Sequence, residues 1–409
     1  MFQTQKWFSL CLALMSFLFP IQTLSLMDPT ISADGNRTQI FIPAIFKDYD
    51  ASWQWENLQE FALTPTPLKT MTVIDVNGRL HIFWDVWPSS GAFIYHRYQT
   101  SSGWSVSEAI APTLGNSNIL VPPVAGPDGS VHIVWKNSLN FGGPYRLMYA
   151  VWKNGTWSPE AELNSIATNS VSGLLSLDDT GQPRVVFSGY SDAYSTGYYL
   201  CRPTSTGCSS KIQLPTTKYL THYPFIDHTG GVVIVSEGYQ NGVKRIYYSY
   251  WKDSALLIDN HEISGTVNYR GGLIDRQNNI NFYRSGSVPV PGGNVYGIYQ
   301  QCLASNFAWG PDQVISGQSN VAISQFAAST GLNLVSGRQA SYGSPVVLDV
   351  WENCVSINTK TSTLPPPSTS SWGALASLAS SDSPRKICLL MPVLYASSKF
   401  GVYCANIGQ

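Results

Sequence analysis

From about residue 52 onward the chain is a succession of short apolar runs. Each is four to eight residues long and is separated from the next by Gly, Asn, Asp, Ser and Pro. The segments 71–75, 79–86, 93–100 and 104–110 show the pattern clearly. β-Branched and aromatic residues fill them, turn-forming residues lie between, and each reads as a strand. No stretch carries the 3.6-residue apolar spacing of an amphipathic helix.

The strands recur in groups of four. VIDVNGRLHIFW occupies 73–84 and VAGPDGSVHIVW occupies 124–135, with Gly78 and Gly129 in matching places. Later copies put Gly181, Gly230, Asn279 and Gly331 there, at intervals of 49 to 52 residues. Four short antiparallel strands per repeat, without helices, predict an all-β propeller. The ends complete one another: 52–63 (SWQWENLQEFAL) resembles a fourth strand without its first three. The segments 373–382, 385–394 and 399–407 give three strands without a fourth. An N-terminal strand that completes the last blade would close the ring, remove an open sheet edge and make seven blades. A six-bladed ring, with 365–409 as an appendage, is the alternative; in the seven-bladed reading 363–371 is a loop into the last blade.

Outside the repeats, residues 1–26 read as an export signal, with Lys6 before an apolar run from Trp7 to Phe19. An uncleaved anchor facing outward is the alternative. Residues 27–51 form a linker, and 52–409 the propeller. Beyond the signal no membrane association is expected. An exported chain favours disulfides. Cys201 and Cys208 flank one strand turn, Cys388 and Cys404 fall on neighbouring strands, and Cys302 with Cys354 remain as the third pair. No Cys/His spacing resembles a zinc site, and neither a metal nor a cofactor is expected.

Composition narrows the class of partner. Charged residues are 12% of the 409 and the formal net charge is −1, so no basic tract points to nucleic acid. The surface is built from Ser, Thr, Asn, Gly and Tyr instead. A monomer that takes a glycan or a surface protein is the expectation.

Repeated polar residues are structural candidates. Asp75, Asp128, Asp179, Asp227 and Asp275 precede the turn marker, where carboxylates cap turn amides. His81 and His132 share a strand-two position and should be buried. Trp104, Trp157 and Trp309 should begin fourth strands and wedge between blades. Non-repeated residues in the repeated frame are better binding candidates. Seven positions past each marker stand Asp85, Lys136, Ser188, Glu237, Gly286 and Arg338. That end of each blade also gathers Trp87, Tyr190, His222, Tyr223, Tyr269 and Arg270, amphipathic groups suited to sugar rings or to protein loops. Asp85 and Glu237 lie nearly opposite in such a ring, too far apart for a glycosidase carboxylate pair.

The pattern D-x-x-G-x-x-H-I-x-W, followed by an aromatic strand and G-x-W-S, resembles sialidase-like propellers with BNR (Asp-box) repeats. Only 153–157 (KNGTW) and 102–104 (SGW) match worn Asp boxes. The segment 37–49 superficially resembles the R-I-P segment of that family, with Phe41 where its arginine stands. The resemblance implies a sialidase-like exo-glycosidase, with arginines such as Arg270, Arg284 and Arg338 on a substrate carboxylate. No motif here singles out that triad. A non-catalytic propeller binding a glycan or surface partner is the first expectation, with the exo-glycosidase and a protein scaffold as alternatives.

Overall fold

The computed structural model describes the strands between 56 and 406 and some of their tight turns. Residues 1–55, 407–409 and most longer connections fall outside the described residues, among them 87–92, 139–144, 164–170, 191–195, 215–220, 305–309, 340–345 and 363–376. The expected signal, the linker at 27–51, Trp87, Trp309 and Cys354 lie there. For much of the chain beyond 264 only the backbone is described.

The fold is all-β, and its strands form antiparallel sheets, most of them four-stranded. The first sheet holds Lys69–Ile74, Leu80–Val86 and Phe93–Thr100. The second holds Asn116–Ile119 and Val124–Ala125 as a broken inner strand, then Val131–Ser138 and Tyr145–Lys153. The third runs Val171–Leu177, Pro183–Tyr190, Thr196–Thr204, Gly207–Leu214, and the fourth Thr221–Ile226, Val232–Gln240, Val243–Lys252, Ala255–Ile263. The fifth is Val267–Ile274, Ile280–Val290, Gly293–Leu303, Gln313–Ser316, and the sixth Ala322–Ala328, Leu334–Gln339, Val346–Glu352, Val355–Ser362. The last takes Ser377–Asp382, Arg385–Pro392 and Lys399–Asn406 from the C-terminal end and Glu56–Ala62 from the other. That closing strand is antiparallel to Lys399–Asn406, with Glu56 opposite Cys404 and Ala62 opposite Lys399.

The marker glycines earn their place by conformation. Gly78, Gly129, Gly181 and Gly230 have φ of 74°, 78°, 75° and 85°, the left-handed region that side chains disfavour. The Asp75 carboxylate accepts the backbone amides of Asn77 and Arg79, each at 2.9 Å. Asp227 accepts the amide of Gly231 at 2.7 Å.

Three expectations shift. In the third sheet Asp178, not Asp179, caps the turn, accepting the Thr180 and Gln182 amides at 3.0 Å each. Of two adjacent aspartates, only the one three residues before Gly181 stands at the mouth of the turn. In the fifth sheet Asn278, with φ 65°, takes the left-handed position in place of Asn279, and Asp275 lies outside the described residues. In the second sheet Gly126 fills the place of Asp75, and Asp128 enters the same space from two positions later. A Cβ on Gly126 would meet Ser130 Oγ and, at 2.8 Å, Asp128 Oδ1.

The outer strands of the first two sheets also differ from the continuous runs expected. Each is split, into Gly103–Trp104 and Glu108–Ala109, and into Thr156–Trp157 and Ala161–Glu162. A serine makes the break: Ser105 Oγ accepts the Tyr98 amide and Ser158 Oγ the Val151 amide, both at 3.0 Å. A side-chain oxygen stands in for a ladder carbonyl, and the chain turns away.

The core lies between sheets rather than inside any one of them. Trp84, Leu80 and Ile82 of the first sheet pack with Leu390, Phe400 and Val402 of the last. Phe83 and Ile94 pack with Ile133, Trp135 and Trp152 of the second. Further seams join the second to the third, the third to the fourth and the fourth to the fifth. At the seam of the last and first sheets the Arg97 guanidinium sits 4.8 Å from the Phe61 ring and 5.4 Å from that of Trp104. Disulfides join Cys201 to Cys208 and Cys388 to Cys404 as expected. Cys302 is also disulfide-bonded, while its expected partner Cys354 is not among the described residues. Among those residues no helix is long and apolar enough to cross a membrane.

Candidate functional site

The inner strand of each sheet starts, and the second strand ends, at one end of the sheet. Backbone pairing puts the candidate positions at that end. Asp85 lies opposite Lys69, Lys136 opposite Asn118, Ser188 opposite Ser172, Glu237 opposite Thr221 and Gly286 opposite Val267. His222 and Tyr223 begin the inner strand of the fourth sheet, beside Ser236 and Val235. Tyr190 ends the second strand of the third sheet, opposite Thr196. Tyr269 pairs with Arg284, and Arg270 falls in the register shift that follows. Arg338 lies opposite Val347. For Tyr190, His222, Tyr223, Glu237, Tyr269, Arg270, Arg284 and Arg338 the backbone place is all that is described, so the arginine convergence implied by the sialidase resemblance falls outside the described side chains.

Side chains are described in the first two sheets, and there they converge. Asp85 is buried, at 4% exposure, while Lys69 and Lys136 are half-buried. The charges that act on Lys69 are those of Asp85 and Lys136. Burial lowers its affinity for a proton, Lys136 lowers it further, and Asp85 opposes both. The Lys136 ammonium lies 4.8 Å from the Tyr145 ring centroid, a cation–π contact. Asn137 and Ser138 are buried beside it. Lys69 carries no motif and stands nine positions before its marker. Its one legible signal is a lysine opening a strand, KTMTVI, whose other residues are apolar or threonine.

Two buried polar chains belong to the fold. In the first sheet Asp75 Oδ2 lies 3.3 Å from His81 Nε2, His81 Nδ1 3.0 Å from His96 Nε2, and His96 Nδ1 3.0 Å from Glu108 Oε1. The Trp157 indole donates to the same Glu108 oxygen at 3.0 Å. Burial holds both imidazoles below the ordinary histidine range, His96 to about 4. The bond from His96 holds Glu108 below the usual carboxylate range. Two neutral imidazoles bring two protons to three contacts, so one contact sets a lone pair against an oxygen or nitrogen.

In the second sheet the protons do balance. Tyr149 donates to His132 Nδ1 at 2.7 Å, His132 Nε2 donates to Ser130 Oγ at 2.8 Å, and Ser130 donates to Asp128 at 2.5 Å. Burial lowers His132 to about 4 and raises Tyr149. His81 and His96 are fully enclosed and His132 nearly so, which makes these chains connections between strands.

At the turn end of the sheets a cavity of about 320 Å³ opens between the fourth and fifth, with Asp227, Tyr250, Lys252, Ile280 and Leu303 in its wall. The Asp227 carboxylate there already accepts from Tyr250 and the turn. Among the described residues no group of three or more His, Cys, Asp or Glu could hold a metal ion.

No family model matches the chain, and no curated protein matches it in sequence. Solved structures do match. A PL25 ulvan lyase aligns at TM-score 0.51 and 10% identity, over 86% of this chain and 96% of that one. The polysaccharide lyase Uly1 aligns at 0.53 and 9%, over 91% and 94%. Hydrazine synthase of Kuenenia stuttgartiensis aligns at 0.52 and 9%, over 83% and 96%. At these identities the likeness speaks for the fold alone, and that fold is propeller-like.

Proposed function

We propose that the chain is an exported, seven-bladed propeller that binds a glycan through the end of its sheets bearing Lys69, Asp85, Lys136 and Tyr145. The carrying observation is that two adjacent sheets bring two ammonium groups, a buried carboxylate and an aromatic ring together at that end. A few placed polar groups beside an aromatic face suit a sugar, whose hydroxyls take the polar groups and whose C–H surface takes the ring. The seven-bladed reading is supported by the contacts of Ser377–Asp382 with both Lys69–Ile74 and Ala322–Ala328. Disulfides fit an oxidising compartment. That two of the similar folds are polysaccharide lyases agrees with a glycan ligand.

The test is a glycan array probed with the mature protein and with Asp85→Asn and Lys136→Ala, each checked for folding by circular dichroism. Retention of one glycan class by the parent, weakened in both variants, is expected. Silence across the array, with capture of a surface protein instead, would replace the reading by a scaffold. New glycan fragments during incubation would replace it by an enzyme.

A further inference from the structure

We propose that Lys69 and Lys136 form an anion subsite, which takes a carboxylate or sulfate group of an acidic polysaccharide. The inference rests on the glycan reading above and adds the class of glycan. Lys69 opens the inner strand of the first sheet, opposite Asp85. Lys136 stands at the equivalent end of the neighbouring sheet, opposite Asn118. Asp85 and Lys136 both act on the half-buried Lys69, so the described residues set two ammonium groups against one carboxylate here. Like charges that share a partly desolvated site repel more strongly than in water, because less solvent screens them. An incoming anion between them removes that repulsion and gains two charge-assisted hydrogen bonds.

Two features orient the guest. Tyr145 holds the Lys136 ammonium at its ring, which limits where that charge can point. The buried Asp85 carboxylate faces Lys69 across the strand pair, so it holds one lysine in register and repels an anion placed too deep. A neutral sugar would leave the charge excess as it is. An acidic one balances it.

Isothermal titration with matched polymers tests the subsite: polygalacturonate against its methyl ester, a sulfated galactan against its desulfated form, and inorganic sulfate alone. Binding of an acidic polymer is expected, at least about tenfold weaker for the neutralised partner and for Lys136→Met, with Lys136→Arg restoring much of it. Lys136→Met keeps the aliphatic stem on Tyr145, so its loss isolates the charge, and an unchanged urea midpoint excludes misfolding. Equal binding of charged and neutralised polymers would overturn the anion subsite while keeping the glycan reading. Binding of sulfate alone, with Lys136→Met abolishing it and no polymer retained, would keep an anion site and sink the glycan. Retention of no polymer and no sulfate would overturn both.

Discussion

Acid should unfold this protein well before its carboxylates titrate, and His132 gives the size of the effect. In the native state His132 is neutral, with Tyr149 donating to one nitrogen and Ser130 accepting from the other, and burial holds its pKa near 4 against an ordinary 6.5. A base whose folded pKa is depressed contributes fully above the unfolded value. That contribution is lost as pH falls from 6.5 and is gone by about 4. At pH 5 the unfolded chain has bound a proton that the native state refuses. One and a half pH units at about 1.4 kcal/mol each make this roughly 2 kcal/mol. Urea melts of the parent and of His132→Gln at pH 7.5 and pH 5 measure it. The variant should be the less stable at pH 7.5, having lost a relay bond. Its further loss on acidification should be smaller than the parent's by about 2 kcal/mol. His96, held to about 4 as well, keeps acting in both proteins and cancels from the comparison. Identical acid losses in the two proteins would refute the neutral, buried His132.

Other outcomes follow from the geometry. Glu108→Gln should lower the melting temperature slightly, because its amide oxygen can still accept from His96 and Trp157 at the one position they share, but without the carboxylate's charge. Glu108→Ala should cost about 1–3 kcal/mol in urea unfolding. Replacing Cys388 and Cys404 by serine, which opens a loop with a sequence separation of 16, should cost about 3 kcal/mol in the same assay. Arg97→Ala, which removes the guanidinium that lies against the paired rings of Phe61 and Trp104, should cost about 1–3 kcal/mol, with Arg97→Lys recovering part. Gly126→Ala should destabilise by about 1–3 kcal/mol because its methyl lands on Ser130 and Asp128. Gly310→Ala, with no neighbour among the described residues nearer than 3.6 Å, should change the melting temperature little.

Turns were the most legible feature, since each depends on one residue whose backbone must be left-handed. Gly78, Gly129, Gly181 and Gly230 therefore fixed the frame, and with it the strands and the closing pair. The frame slipped by one residue only where neighbours of like chemistry compete, as at Asp178 with Asp179 and at Asn278 with Asn279. Local chemistry was legible too: Cys201 and Cys208 are close in sequence and share one hairpin. The binding end was legible in part. Asp85 and Lys136 stood out by breaking the repeat, but Lys69 did not, because its meaning comes from cross-strand register with Asp85 and the adjacent sheet. Glu108 escaped for the same reason. A polar chain across a sheet is visible only once strands far apart in sequence lie side by side.

Pairing the first described strand with the last carries a cost in time. As the chain is made N-terminus first, Glu56–Ala62 emerges with no sheet to join, and Lys399–Asn406 supplies its partner only after the intervening sheets have been made. Until then the early sheets present Trp84 and Leu80, which the last sheet will cover, to whatever surrounds the nascent chain. Such long-range pairing slows folding and exposes adhesive surface meanwhile. A ribosome stalled shortly before the C-terminal strands, or a protease that clips them, should therefore leave a molecule prone to clump rather than a smaller working one.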